Sequence, residues 1–243
     1  MCKYYNGTYN VYNVNKNYSL NITDEGFNHI SKNILQKKNY LNNVNSINMI
    51  GFYQQDAIFL LHKKEIIEYI ISHPDHYILT DGINSGDRNY QKFFMKNIIT
   101  TPDEFIKKYK IVLHLRLEDF IKHNLFIKKE RILQLLEKLI KNKTIDNQLV
   151  IVLNKPKKIQ EFNYINSIIQ LLKNNNIEII LESNDVLTDY YILKEAEILI
   201  SSNSTLCWGA SFFSEKLKEL YFPEYKLSSN QTFKQPIENT IYY

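Results

Sequence analysis

Glycine and proline are scarce in this chain, six and five among 243 residues. Long flexible linkers are therefore not expected. Cysteine is scarcer: Cys2 and Cys207 make neither a disulfide framework nor a zinc-ligand spacing. No apolar run approaches the ~20 residues of a membrane-spanning helix. The opening MCKYYNGTYN also lacks the apolar centre of a signal peptide. Both absences lead to the expectation of a cytoplasmic protein. On that reading the Asn-x-Ser/Thr triplets at Asn6, Asn17, Asn21, Asn142, Asn203 and Asn230 are accidents of an Asn-rich composition. A Gly-rich phosphate loop, a Walker motif, a Ser-His-Asp order and an Asp-x-Asp pair are all missing. His29, His62, His73, His76 and His123 show no metal-ligand spacing, so no metal site is expected.

What is present is an ordinary globular composition, 44% hydrophobic and 23% charged. The net charge is +4, with lysines scattered along the chain. That suits an anionic small ligand. No basic stripe interleaves with aromatics, so nucleic acid is not an expected partner.

Residues Met1–Asn48 are polar and rich in Asn and Tyr, with weak helical periodicity at 27–35 and no clear strand. A strand is expected at Ile47–Phe52 and an amphipathic helix at Lys63–Ile71, with Ile66, Ile67, Ile70 and Ile71 on one face. Turn signals follow at His73-Pro74, Asp81-Gly82 and Ser85-Gly86-Asp87, and Thr101-Pro102-Asp103-Glu104 reads as a helix start. From Tyr109 onward strand and helix patterns alternate. Strands are expected at 110–115, 149–153, 177–181, 198–201 and 217–222, and helices at 129–141, 161–172, 188–196 and 205–213. The strands read as apolar on both faces, the signature of a parallel sheet covered by helices on both sides. The expected fold class is α/β. Residues 1–108 would form a smaller N-terminal domain and 109–243 a doubly wound, Rossmann-like domain, with 223–243 irregular.

Ligands of such sheets sit at the carboxyl ends of the strands, and three ends carry polar side chains. At Ile198–Phe213 a strand runs into Ser201, Ser202, Asn203, Ser204 and Thr205 and then a helix. These residues either cap the helix or present its start to a phosphate. At the second end, His114 and Arg116 lie two apart, on one side of a strand end. Arg116 offers a fork of donors matched to phosphate, or a salt bridge to Glu118 or Asp119. The third end, Glu182–Asp185, can hold a ribose or base edge, or be a solvated loop.

Three pieces in order resemble the α-1,2-fucosyltransferases. Gly51-Phe52-Tyr53-Gln54-Gln55 is similar to their GYFQ segment, and His114–Asp119 to their HxRRGD motif. Leu187–Tyr190 with Ser202–Ala210 is similar to their DLYLMS…NSTFSWWGAWL block. The likeness covers about residues 49–213. It implies a GT-B-like fold, GDP-fucose as donor, a glycan as acceptor, inversion at the anomeric carbon, and no metal or other cofactor. Carried over, Arg116, His114 and Asp119 would be catalytic. Asn203, Ser204 and Thr205, with Glu182 and Asp185, would hold the donor nucleotide. Tyr53 and Gln54 would lie on the acceptor side. Leu117 stands where the family has a second Arg, Glu118 where it has Gly, and Cys207 where it has a second Trp. Its opening GGLGNQ segment is absent, and Leu153-Asn154-Lys155 replaces FSDD. Two further readings are a transferase for another nucleotide sugar and a relative that binds nucleotide or glycan without turnover.

Overall fold

The structure is a computed structural model describing residues 3–4, 7–14, 17–23, 46–50, 63–75, 77–82, 89–106, 109–122, 126–224, 237 and 239–243. The chain divides into two compact units, 1–62 and 63–243. In the first, strands β1 (Lys3–Tyr4), β2 (Gly7–Val14), β3 (Asn17–Thr23) and β4 (Ser46–Ile50) form one sheet in chain order. β2 and β3 pair antiparallel, while β3 and β4 pair parallel with Ser19 opposite Ser46. The expectation of no clear strand in the first 48 residues is thereby corrected. GTYNVYNV and NYSLNIT carry Asn at positions where a half-buried strand would show apolar residues, so periodicity hid them. The helix expected at 27–35 lies outside the described residues.

The second unit opens with α1 (Lys63–Ser72), the hairpin β5 (Tyr77–Gly82) and β6 (Asn89–Phe94), α2 (Met95–Ile99) and a short 3-10 turn at Asp103–Phe105. Asp81-Gly82, read as a turn, is paired as the end of β5. Ile70 of α1 is buried, whereas Ile71, expected inward, is 62% exposed.

A six-stranded parallel sheet follows. It is built from β7 (Ile111–Leu115), β8 (Gln148–Leu153), β9 (Glu178–Glu182), β10 (Ile198–Ile200), β11 (Glu219–Phe222) and β12 (Thr240–Tyr242). Its spatial order is β12-β11-β10-β7-β8-β9. The connecting helices are α3 (Glu118–Lys122), α4 (Lys129–Lys141), α5 (Ile159–Asn174), α6 (Val186–Lys194) and α7 (Thr205–Phe213). Among the described residues none of the helices is long and apolar enough to cross a membrane.

Two cores sandwich the sheet. Ile111, Leu113 and Leu115 point to one face, against Ile132, Leu136 and Leu139 of α4 and Ile165, Ile168 and Leu172 of α5. Val112 with Val150 and Val152 points to the other, against Tyr190–Leu193 of α6 and Cys207 and Ala210 of α7. The strands are apolar on both faces because each face is covered, which explains their unbroken runs. α4 shows the matching helical period, with Ile132, Leu135, Leu136 and Leu139 buried. The Asn turn after α5 closes with Asn176 at φ 57°, a left-handed conformation that Asn tolerates. Edge strand β9 departs from the pattern, with Leu181 52% exposed. Residues 223–243, expected irregular, contain edge strand β12.

The segment before β7 is tied to the α6 face. The Tyr190 hydroxyl donates to the carbonyl of Ile98 at 2.9 Å. The Lys194 ammonium donates to the carbonyl of Ile99 and, at 3.0 Å, to Thr101 Oγ1. Ile98 and Phe105 pack on the same core.

Candidate functional site

Read outward from β7, the sheet has the order 3-2-1-4-5-6. The chain runs β7-β8-β9 in one direction, then returns to lay β10-β11-β12 on the other side of β7. The loops leaving β7 and β10 therefore turn opposite ways and open a crevice between them. Register makes the juxtaposition concrete: Leu113 pairs with Ile200 on one side, and Leu115 pairs with Leu153 of β8 on the other. Arg116 thus leaves the sheet between the polar turn Ser201–Ser204 and the loop that begins at Asn154.

His114 alternates to the α6–α7 face, where it is buried, and its Nδ1 lies 2.7 Å from Ser202 Oγ. Burial, with the neighbouring Arg116 charge, pushes its pKa down to about 3. The imidazole is neutral at physiological pH and serves as a hydrogen-bonding group. Arg116 is half-buried, its guanidinium 5.5 Å from the Phe120 ring centroid. Glu118 accepts from Asn154 Nδ2 and from Lys157 Nζ, both at 2.6 Å. The Lys157 hydrogen bond comes first among the causes that hold its carboxyl below the usual range. Glu118, one of the two partners weighed for Arg116, pairs with Lys157 and feels Arg116 through its charge. Asp119 falls in α3, and its side chain lies outside the described residues.

The turn after β10 is held from below. The Tyr243 hydroxyl donates to the carbonyl of Ser201 at 2.8 Å, and Ser201 Oγ donates to the carbonyl of Ser202 at 2.5 Å. Ser204 caps α7, accepting from the N–H of Leu206 at 3.2 Å. Asn203 is half-buried, and Thr205 is the exposed first residue of the helix. Of the two readings, capping is carried by Ser204, and Asn203 and Thr205 flank it. Cys207 is buried behind this turn. Burial raises its thiol to about 12 despite hydrogen bonds from Ser201 and Ser202, so it is not a nucleophile near neutral pH.

The third strand end is engaged internally. Glu182 accepts from the Tyr109 hydroxyl and, at 3.0 Å, from Asn184 Nδ2. Asp185 is the N-cap of α6: it accepts from the N–H groups of Leu187 and Thr188 at 2.9 and 3.1 Å, and from the Thr188 hydroxyl at 2.7 Å. Asp189 behind it accepts from Asn184, and burial pushes its carboxyl up to about 6. The cluster lies beyond β8, on the far side of the sheet order from Ser201–Thr205. Tyr53 and Gln54 lie outside the described residues.

Sequence reasoning did not single out Lys157, Asn154 or Tyr243. The Lys155-Pro156-Lys157-Lys158 run was the available signal for the first. None was available for Tyr243, which reaches Ser201 only through the pairing of β12 with β11. Among the described residues, no group of three or more His, Cys, Asp or Glu is placed to hold a metal ion.

A Rossmann-like parallel α/β unit with polar side chains at its switch point is the class that the fold defines. In comparisons with known proteins the chain matches no family model, no curated protein and no solved structure.

Proposed function

We propose that the protein is an inverting glycosyltransferase of the α-1,2-fucosyltransferase kind, taking GDP-fucose as donor and a glycan as acceptor. The observation that carries the reading is the convergence of the HxR strand end and the Ser202–Thr205 turn on one crevice. These are two of the three stretches in which the chain resembles that family, and they are 88 residues apart at His114 and Ser202. In this reading the six-stranded sheet is the donor half of a GT-B-like enzyme, and the N-terminal segment with Tyr53 and Gln54 serves the acceptor.

The chemistry follows from charge. An acceptor hydroxyl attacks the anomeric carbon from the face opposite the nucleotide and releases its proton to solvent, the C–O bond to the diphosphate breaks, and the electron pair leaves with GDP. Arg116 and the start of α7 receive that charge. Neutral His114 fixes the Ser202 side of the cradle. Leu117, buried in the α4–α5 core where the family has a second Arg, favours a second reading, nucleotide binding without turnover.

A thermal-shift panel of GDP, UDP and CDP, followed by donor hydrolysis and transfer with and without EDTA, tests both readings. GDP should stabilise most, by about 2.7 kcal/mol at ~100 times Kd, and turnover should survive EDTA. Equal shifts with every nucleotide would sink the donor assignment. A GDP-specific shift without hydrolysis or transfer selects the second reading.

A further inference from the structure

We propose that Lys157 is the second cation of a diphosphate subsite, held beside Arg116 by Glu118. The inference rests on the nucleotide-sugar reading above and names how that site meets the diphosphate charge. A departing diphosphate carries more than one negative charge, and a single guanidinium leaves part of it unmatched. Leu117 cannot contribute, since its side chain is buried in the α4–α5 core. The neighbouring strand supplies a cation instead. Because Leu115 and Leu153 are register partners, the β7 and β8 loops leave the sheet side by side, one beginning at Arg116 and the other at Asn154. Glu118 spans them with both carboxylate oxygens: Oε2 takes Asn154 Nδ2 and Oε1 takes Lys157 Nζ, each at 2.6 Å.

Oε1 holds the Lys157 ammonium, whose side chain is 68% exposed, while Oε2 anchors the carboxylate to Asn154. Lys157 lies in the loop after β8, exposed to solvent. An exposed ion pair of this kind adds little to folding stability. Binding and folding effects of Lys157 are therefore separable.

The test measures affinity of the full chain for GDP, GMP and inorganic pyrophosphate by calorimetry, for the wild type, Lys157→Gln, Lys157→Arg and the remote control Lys173→Gln. Lys157→Gln should weaken GDP and pyrophosphate about tenfold, the lower end for a hydrogen bond to a charged group. GMP should suffer less, Lys157→Arg should recover most of the loss, and Lys173→Gln should match the wild type. GDP and pyrophosphate affinities within twofold of the wild type in Lys157→Gln overturn the inference and leave the donor reading intact. Wild-type protein that binds pyrophosphate but none of the nucleotides, with the Lys157→Gln loss still present, supports the subsite and removes the GDP assignment. Wild-type protein that binds neither overturns both.

Discussion

Arg116 and His114 sit two residues apart and do different work. Arg116 is half-buried at the strand end. If it takes leaving-group charge, Arg116→Ala should lower turnover by ~10²–10³ with the fold retained, by analogy with the loss of one oxyanion-type donor. Arg116→Lys should recover only part, because an ammonium lacks the planar fork. Unfolding of Arg116→Ala, measured by circular dichroism, would make the residue structural instead. His114 is buried neutral, and its pKa is about 3 against ~6.5 in an unfolded chain. Below pH ~6.5 the unfolded chain takes up a proton that the folded protein refuses, so stability falls as pH drops toward about 3. Asp189, raised to about 6, works in the opposite direction: it favours the folded state as pH falls from about 6 toward ~4. Urea unfolding at pH 7, 6 and 5 should show a flatter acid limb for His114→Gln than for the wild type. A limb of unchanged slope would mean that His114 is protonated in the folded protein.

At the scale of elements, the starts of α6 and α7 each carry a side-chain cap. Both oxygens of Asp185 are taken by the first turn of α6, while α7 is capped by Ser204, flanked by Asn203 and Thr205. Asp185→Ala should therefore cost about 1 kcal/mol of stability and leave GDP affinity unchanged. A selective loss of GDP binding at full stability would return Asp185 to the ligand.

At the scale of the molecule, one crossover creates the site. Had the chain continued past β9 in the same direction, His114 and Ser202 would lie several strands apart. Returning to β7 puts β10 beside it, and the polar ends of the two strands meet. Tyr243 completes the arrangement from the far edge: Arg131 donates to its carbonyl, and its hydroxyl supports the Ser201 turn.

Periodicity alone determined α4 and α7, whose observed bounds match the sequence reading, and the alternation of apolar strands with amphipathic helices. Those signals are local, because burial on one helical face or both strand faces is written into neighbouring residues. The strand-end residues His114, Arg116 and Asn203–Thr205 were legible for the same reason. β1–β3 and β12 were not. The first three are Asn- and Tyr-rich, and β12 is an edge strand with Ile241 40% and Tyr242 47% exposed, so neither carries an apolar signature. Strand order, the Lys157–Glu118 bridge and the Tyr243 support were decided only by tertiary structure. The Lys157–Glu118 bridge and the Tyr243 contacts join residues between 39 and 112 positions apart, and contacts at that separation are set by which strands pair, a choice that no local period encodes.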